Sequence, residues 1–147
     1  MSGAGGVSAV RPGTIGAVRQ EGTLALTRRL TLAEFLRLPE QKPALEFEDG
    51  VVTQKVPPRG QHSVLQFSLA ERINAFARPR GLAFAFPELR TTFAGASRVP
   101  DIAVSRTERI PRLPDGKVAN DFLEPPDVAV EIVSPEQRVN QAARRCL

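Results

Sequence analysis

Eight consecutive residues, Asp127 to Ser134 (DVAVEIVS), do most to limit what this chain can become. In an extended strand Val128, Val130 and Ile132 face one way, and Ala129, Glu131 and Val133 face the other. Both faces are therefore apolar apart from a single acid, which is the pattern of a strand covered on both sides. The expectation is a central strand. An ionised carboxylate in such a setting is costly unless it is paired or binds a metal, so Glu131 invites a functional reading.

The rest of the chain supplies partners for that strand. TLAEFLRLPE opens with Thr31 and carries Glu34 three residues later, a capping box, and Pro39 stops it. This predicts a helix of about two turns, with Leu32, Phe35 and Leu36 on its apolar face. ALEFEDGVVTQKV holds two extended runs around Asp49-Gly50, a strong hairpin pattern, and Pro57-Pro58 ends the second run. From His62 to Arg78 the residues Val64, Leu65, Leu69, Ile73 and Phe76 recur at helical spacing, predicting the longest helix with these residues packed on the sheet. LAFAF, ELRTTF and VPDIAVSR read as strands, residues 107–126 as an exposed loop, and SPEQRVNQAARRCL as the start of another helix capped by Ser134. Helix, strands and helix in this order predict an α/β or α+β fold: a central mixed sheet flanked by helices. Residues 1–22 contain six glycines and no sustained periodicity, so a mobile arm is expected there and one domain over 23–147.

Several function classes drop out. No apolar run approaches the ~18 residues of a membrane span, and the N-terminus lacks an apolar signal core. A cytoplasmic protein is expected. The single cysteine, Cys146, can build neither an internal disulfide nor a cysteine zinc site. The glycine-rich start lacks the strand–loop–helix context of a phosphate loop. A net charge of +4 over 147 residues is a weak pointer to nucleic acid, although arginines far outnumber the three lysines.

The second informative acid is Asp101 in VPDIAVSR. It shares a face with Ala103 and Ser105, as Glu131 shares one with Ala129, so both acids stand beside small residues that leave space over them. Two such carboxylates on neighbouring strands would form an oxygen-rich pocket suited to Mg²⁺ or Mn²⁺. The alternative is structural: Asp101 begins a strand after a proline, and Glu131 pairs with an arginine.

VPDIAV, about thirty residues, then VAVEIVSP resembles the PD-(D/E)XK nuclease superfamily, and more closely its Uma-two (DUF820) family of restriction-endonuclease-like proteins. The LTLAEFLRLPE helix, LEFEDGVV, the paired prolines followed by Gln61-His62, RPRGL, and VNQAARRCL agree in order, from about Leu30 to Leu147. The resemblance implies a restriction-endonuclease-like core and a metal-dependent endonuclease acting on DNA. Asp101, Glu131 and the carbonyl of Ile132 would hold Mg²⁺ or Mn²⁺, and Glu46 would lie at the edge of the same site. His62 matches a histidine of the family, and a solvated residue at the helix start is the alternative reading.

The chain also departs from the pattern. The lysine position two residues after the glutamate holds Val133, and in this family that lysine is usually displaced onto the following helix, where Arg145 stands. Arg145 would then stabilise developing charge, although arginine cannot serve as a base. Lys55 and Lys117 sit in or beside turns and are weaker substitutes. The competing reading is a catalytically inactive, oligomeric relative that keeps the fold and binds nucleic acid without cleavage. Family members continue for some forty residues more, so the C-terminal part is read as truncated. The apolar surface left by that loss predicts a homodimer or larger assembly through Val139, Ala142, Ala143 and Cys146.

Overall fold

A computed structural model describes residues 29–133 of the chain. The N-terminal arm, the helix expected after Ser134, Arg145 and the proposed contact segment around Cys146 lie outside the described residues.

The fold is α+β and is built from local signals in its first half. Helix α1 (Leu32–Phe35) is capped as expected: the Thr31 hydroxyl accepts the Glu34 N–H, and the Glu34 carboxylate accepts the Thr31 N–H at 2.9 Å. It is one turn rather than two. Phe35 stacks on Phe47 with ring centroids 5.2 Å apart and closes a small core with Leu45 and Val52. Strands β1 (Leu45–Glu48) and β2 (Val51–Gln54) form the expected hairpin. Asp49 and Gly50 both take positive φ, 50° and 81°, which matches the twist of the flanking strands.

Helix α2 (Gly60–Ala77) is the long helix, but it presents a different face from the one its large residues suggest. Gln66, Ala70 and Ala77 are buried, with Leu69 and Ile73 packed beside Ala70; Val64, Leu65 and Phe76 are exposed. The sheet explains this. Strand β3 (Ala83–Pro87) offers Ala83 and Ala85 to the helix, and small residues on both sides let the backbones approach closely.

The strands divide between two antiparallel sheets instead of forming one mixed sheet. The first has the order β2-β1-β5-β4, with β4 (Thr91–Phe93) and β5 (Ala96–Arg98) joined at Ala94-Gly95. The second has the order β3-β6-β7, with β6 (Ile102–Arg106) in the middle and β7 (Val128–Val130) beside it. Among the described residues the parallel pairing is limited to a bridge between Thr91 and Phe122.

DVAVEIVS is therefore not the central strand of the described sheet. That place belongs to β6, whose residues Ile102 to Ser105 are all buried. Ile102 and Val104 meet α2, while Ala103 and Ser105 are small enough for the opposite face to close over them. β7 spans three residues at the sheet's end, and Val128 is 52% exposed.

Candidate active site

Between β5 and β6 the chain leaves the first sheet and enters the second through Val99, Pro100 and Asp101, all buried. Three elements pin that passage. Glu46 on β1 accepts the Val99 N–H at 2.8 Å. Lys55, immediately after β2, donates to the Val99 carbonyl at 2.7 Å. Gln66 on α2 donates to the Asp101 carbonyl at 2.7 Å, and the Glu88 N–H reaches the same oxygen at 3.2 Å.

Local pairing explains why these side chains converge. Glu46 stands opposite Thr53 in the hairpin, so Glu46, Thr53 and Lys55 share one face. The Lys55 N–H donates to the Ala44 carbonyl at 2.9 Å, which continues the hairpin pairing by one residue and aims the ammonium inward. Gln66 lies one helical turn after His62, so both fall on the sheet-facing side of α2.

Asp101 collects donors on both oxygens. Its Oδ1 accepts from Lys55 Nζ at 2.7 Å, and its Oδ2 accepts from the Ile132 N–H at 2.7 Å, with His62 Nε2 at 3.4 Å. Burial pushes this carboxyl upward, but the Lys55 ammonium and the Ile132 amide outweigh it and hold the group below its ordinary value. Glu131 follows β7 directly. The register Ile102 to Val130 places it opposite Asp101, and its Oε2 lies 3.8 Å from the same Lys55 Nζ. The sum of the two Lys55 distances, about 6.5 Å, is an upper bound on the separation of those carboxylate oxygens. The side chains of Lys55, Asp101 and Glu131 are only 11%, 5% and 8% exposed.

An open cleft of about 470 Å³ lies over this cluster, with Lys55, His62 and Asp101 in its wall and Lys42, Arg90, Glu40 and Glu88 around it. Glu131 does not line the cleft and joins the cluster through Lys55.

Asp101, Glu131 and Ile132 are thus brought together. Glu46 stands one step back, acting on Val99. Lys117 is exposed and pairs with Asp115. Lys55 corrects the reading of the sequence: a place beside a turn does not keep a lysine from a site when its four-carbon stem points inward. Gln66 is not legible in the sequence either, because nothing local to it marks a bond to a residue 35 positions away. A polar residue on the helix stripe that otherwise meets the sheet is the pattern that could have found it.

The oxygen donors fit a hard divalent cation. Among the described residues no group of three or more His, Cys, Asp and Glu side chains could hold a metal. Two carboxylates and a main-chain carbonyl nonetheless suit Mg²⁺, which keeps several waters and takes few protein ligands. Each carboxylate oxygen has a second lone pair beyond the bond it already accepts.

Among the described residues no helix is long and apolar enough to cross a membrane. No curated protein matches the chain. A solved structure described as "a putative nuclease belonging to DUF820" from Anabaena variabilis ATCC 29413 is similar, with a TM-score of 0.75 and 45% sequence identity. The match covers 78% of this chain and 64% of that one, so the chain spans under two thirds of the Anabaena protein's length. The sequence profile of the Uma2 family, described as "Putative restriction endonuclease", matches residues 32–146, and the chain belongs to that family.

Proposed function

We propose that this chain is a metal-dependent nuclease that hydrolyses phosphodiester bonds of DNA. The observation that carries the reading is the placing of Asp101 and Glu131 around one buried ammonium at the wall of an open cleft. Family membership and the Anabaena relative support it.

Asp101, Glu131 and the Ile132 carbonyl are the proposed ligands. A bound Mg²⁺ or Mn²⁺ would supply Lewis-acid polarisation of the phosphate and a water acidic enough to give hydroxide near neutral pH. The protein's own groups do the rest. The Ile132 amide fixes the orientation of Asp101. Glu46 holds the Val99 amide and so sets where Asp101 emerges, which makes it a positioning residue. Lys55 and His62 face the cleft, where a cationic group can stabilise charge developing on a phosphate. Arg145 remains a proposed contributor from the C-terminal segment.

Lys55 also bears on the competing idea of an inactive relative. That idea rests in part on Val133 in the lysine slot; a lysine from the hairpin standing against both carboxylates offsets that part. We further read residues 23–147 as one self-associating domain, supported by Val64, Leu65 and Phe67 exposed on α2. Light scattering at micromolar concentration tests this, and a monomer contradicts it.

The test of function is incubation of the full chain with plasmid and single-stranded DNA in Mg²⁺ or Mn²⁺. Cleavage that a chelator stops and Asp101→Asn removes is the expected result. Intact DNA under every metal condition overturns the proposal.

A further inference from the structure

Lys55 does not merely accompany the two carboxylates; it stands where a cation bound to them would be crowded. Its Nζ is 2.7 Å from Asp101 Oδ1 and 3.8 Å from Glu131 Oε2, with a third bond of 2.7 Å to the Val99 carbonyl. A hard cation takes a carboxylate oxygen at ~2.0–2.2 Å, so one bound to Oδ1 would have Nζ within about 5 Å. A double and a single positive charge that close, in surroundings with little water to screen them, repel strongly.

We propose that the Lys55 ammonium is the resident counter-ion of Asp101 and Glu131, which a divalent cation must displace to bind, and that the displaced side chain turns into the cleft toward an anionic substrate group. This rests on the metal-binding half of the function proposed above. Lysine suits the role because its charge is a compact point on a flexible stem, and the side chain already lines the cleft. Release costs the Val99 carbonyl its partner, and that cost returns Lys55 to the carboxylates when the metal leaves.

The chain has only three lysines, which makes the movement readable in the unmodified protein. Amine-reactive labelling followed by mass spectrometry should show Lys55 protected without metal and labelled severalfold faster with Mn²⁺. Lys117, on the surface and away from the cleft, serves as a reference that Mn²⁺ leaves unchanged. In parallel, calorimetric titration with Mn²⁺ should give Lys55→Met an affinity at least about tenfold tighter than that of the parent, since a repulsive charge is gone. Lys55 labelling that ignores Mn²⁺, no Mn²⁺ binding to the parent, or a folded Lys55→Met that binds no more tightly would each overturn the inference. If Lys55→Met does not fold, labelling of the parent decides alone.

The outcome is separable from that of the nuclease assay. A protein that exposes Lys55 on binding Mn²⁺ but leaves DNA intact keeps this inference and loses the nuclease reading. A metal-dependent nuclease whose Lys55 labelling is unmoved by Mn²⁺ does the reverse.

Discussion

Lys55 Nζ lies 2.7 Å from Asp101 Oδ1, although 46 residues of chain separate them. The pair joins the end of the hairpin to the start of the central strand of the second sheet, and the chemistry proposed for the protein gathers around it.

Replacing Asp101 by Asn removes a negative ligand while preserving shape. Lys55 keeps the Val99 carbonyl and Glu131 as partners, so the fold should survive. Metal-dependent cleavage should fall by about a thousandfold or more, equivalent to ~4 kcal/mol of transition-state stabilisation. Initial rates on plasmid DNA, with circular dichroism as the folding control, check this.

Glu46 offers a test of positioning. Glu46→Leu leaves the buried Val99 N–H without its acceptor and should cost ~1–3 kcal/mol. Glu46→Gln keeps an oxygen in place and should recover most of that loss. Urea midpoints at constant slope measure both, and equal midpoints for the two variants would refute the role.

Ala94 carries left-handed backbone, with φ at 48°, in the turn between β4 and β5. A residue with a Cβ is strained there by ~1–2 kcal/mol. Ala94→Gly should therefore raise stability by about 1 kcal/mol, seen as a higher thermal midpoint with unchanged cleavage. An unchanged or lower midpoint would show that chain entropy outweighs the strain.

Asp127 contributes to the acid limb of stability. It accepts the Arg106 N–H at 2.8 Å and the guanidinium groups of Arg106 and Arg109, and these bonds, the Arg106 amide foremost, hold its carboxyl down to about 2. A depressed carboxylate stabilises the fold in full above its unfolded value of 3.8 and loses that contribution as pH falls toward about 2. Asp127→Asn should thus be less stable than the parent at pH 5, and the gap should close across this window. Denaturant titrations at stepped pH would show it, with added salt narrowing the difference because the site is near the surface.

The parts of this fold that were legible in the sequence are those decided within a few residues. Thr31 with Glu34, and Asp49 with Gly50, carry their whole explanation in one turn of chain. Asp101 and Glu131 were legible because each is an acid among small apolar neighbours, a conflict that shows without any partner. Lys55 was not, because its inward aim depends on hairpin pairing and its partners lie far along the chain. The helix face misled for a related reason. Large residues dominate a periodicity count, yet alanines at positions 70, 77, 83 and 85 allow the close packing, and Val64, Leu65 and Phe76 turn outward. The Ala94-Gly95 turn lacks the Asn or Asp that marks such hairpins, so β5 falls in the unassigned gap between ELRTTF and VPDIAVSR.

The passage through Val99, Pro100 and Asp101 has a bearing on how the protein meets heat. One short stretch stitches the two sheets together and also delivers the acid proposed to hold a metal. Loosening the seam between the sheets would misplace that acid at once, and holding the acid firmly keeps the seam shut. A state in which the sheets have parted but the acid keeps its place is therefore disfavoured: on warming, loss of the Lys55–Asp101 pair and the opening of the two sheets should arrive as one event. The Lys55 ammonium would then act as a rivet as much as a counter-ion.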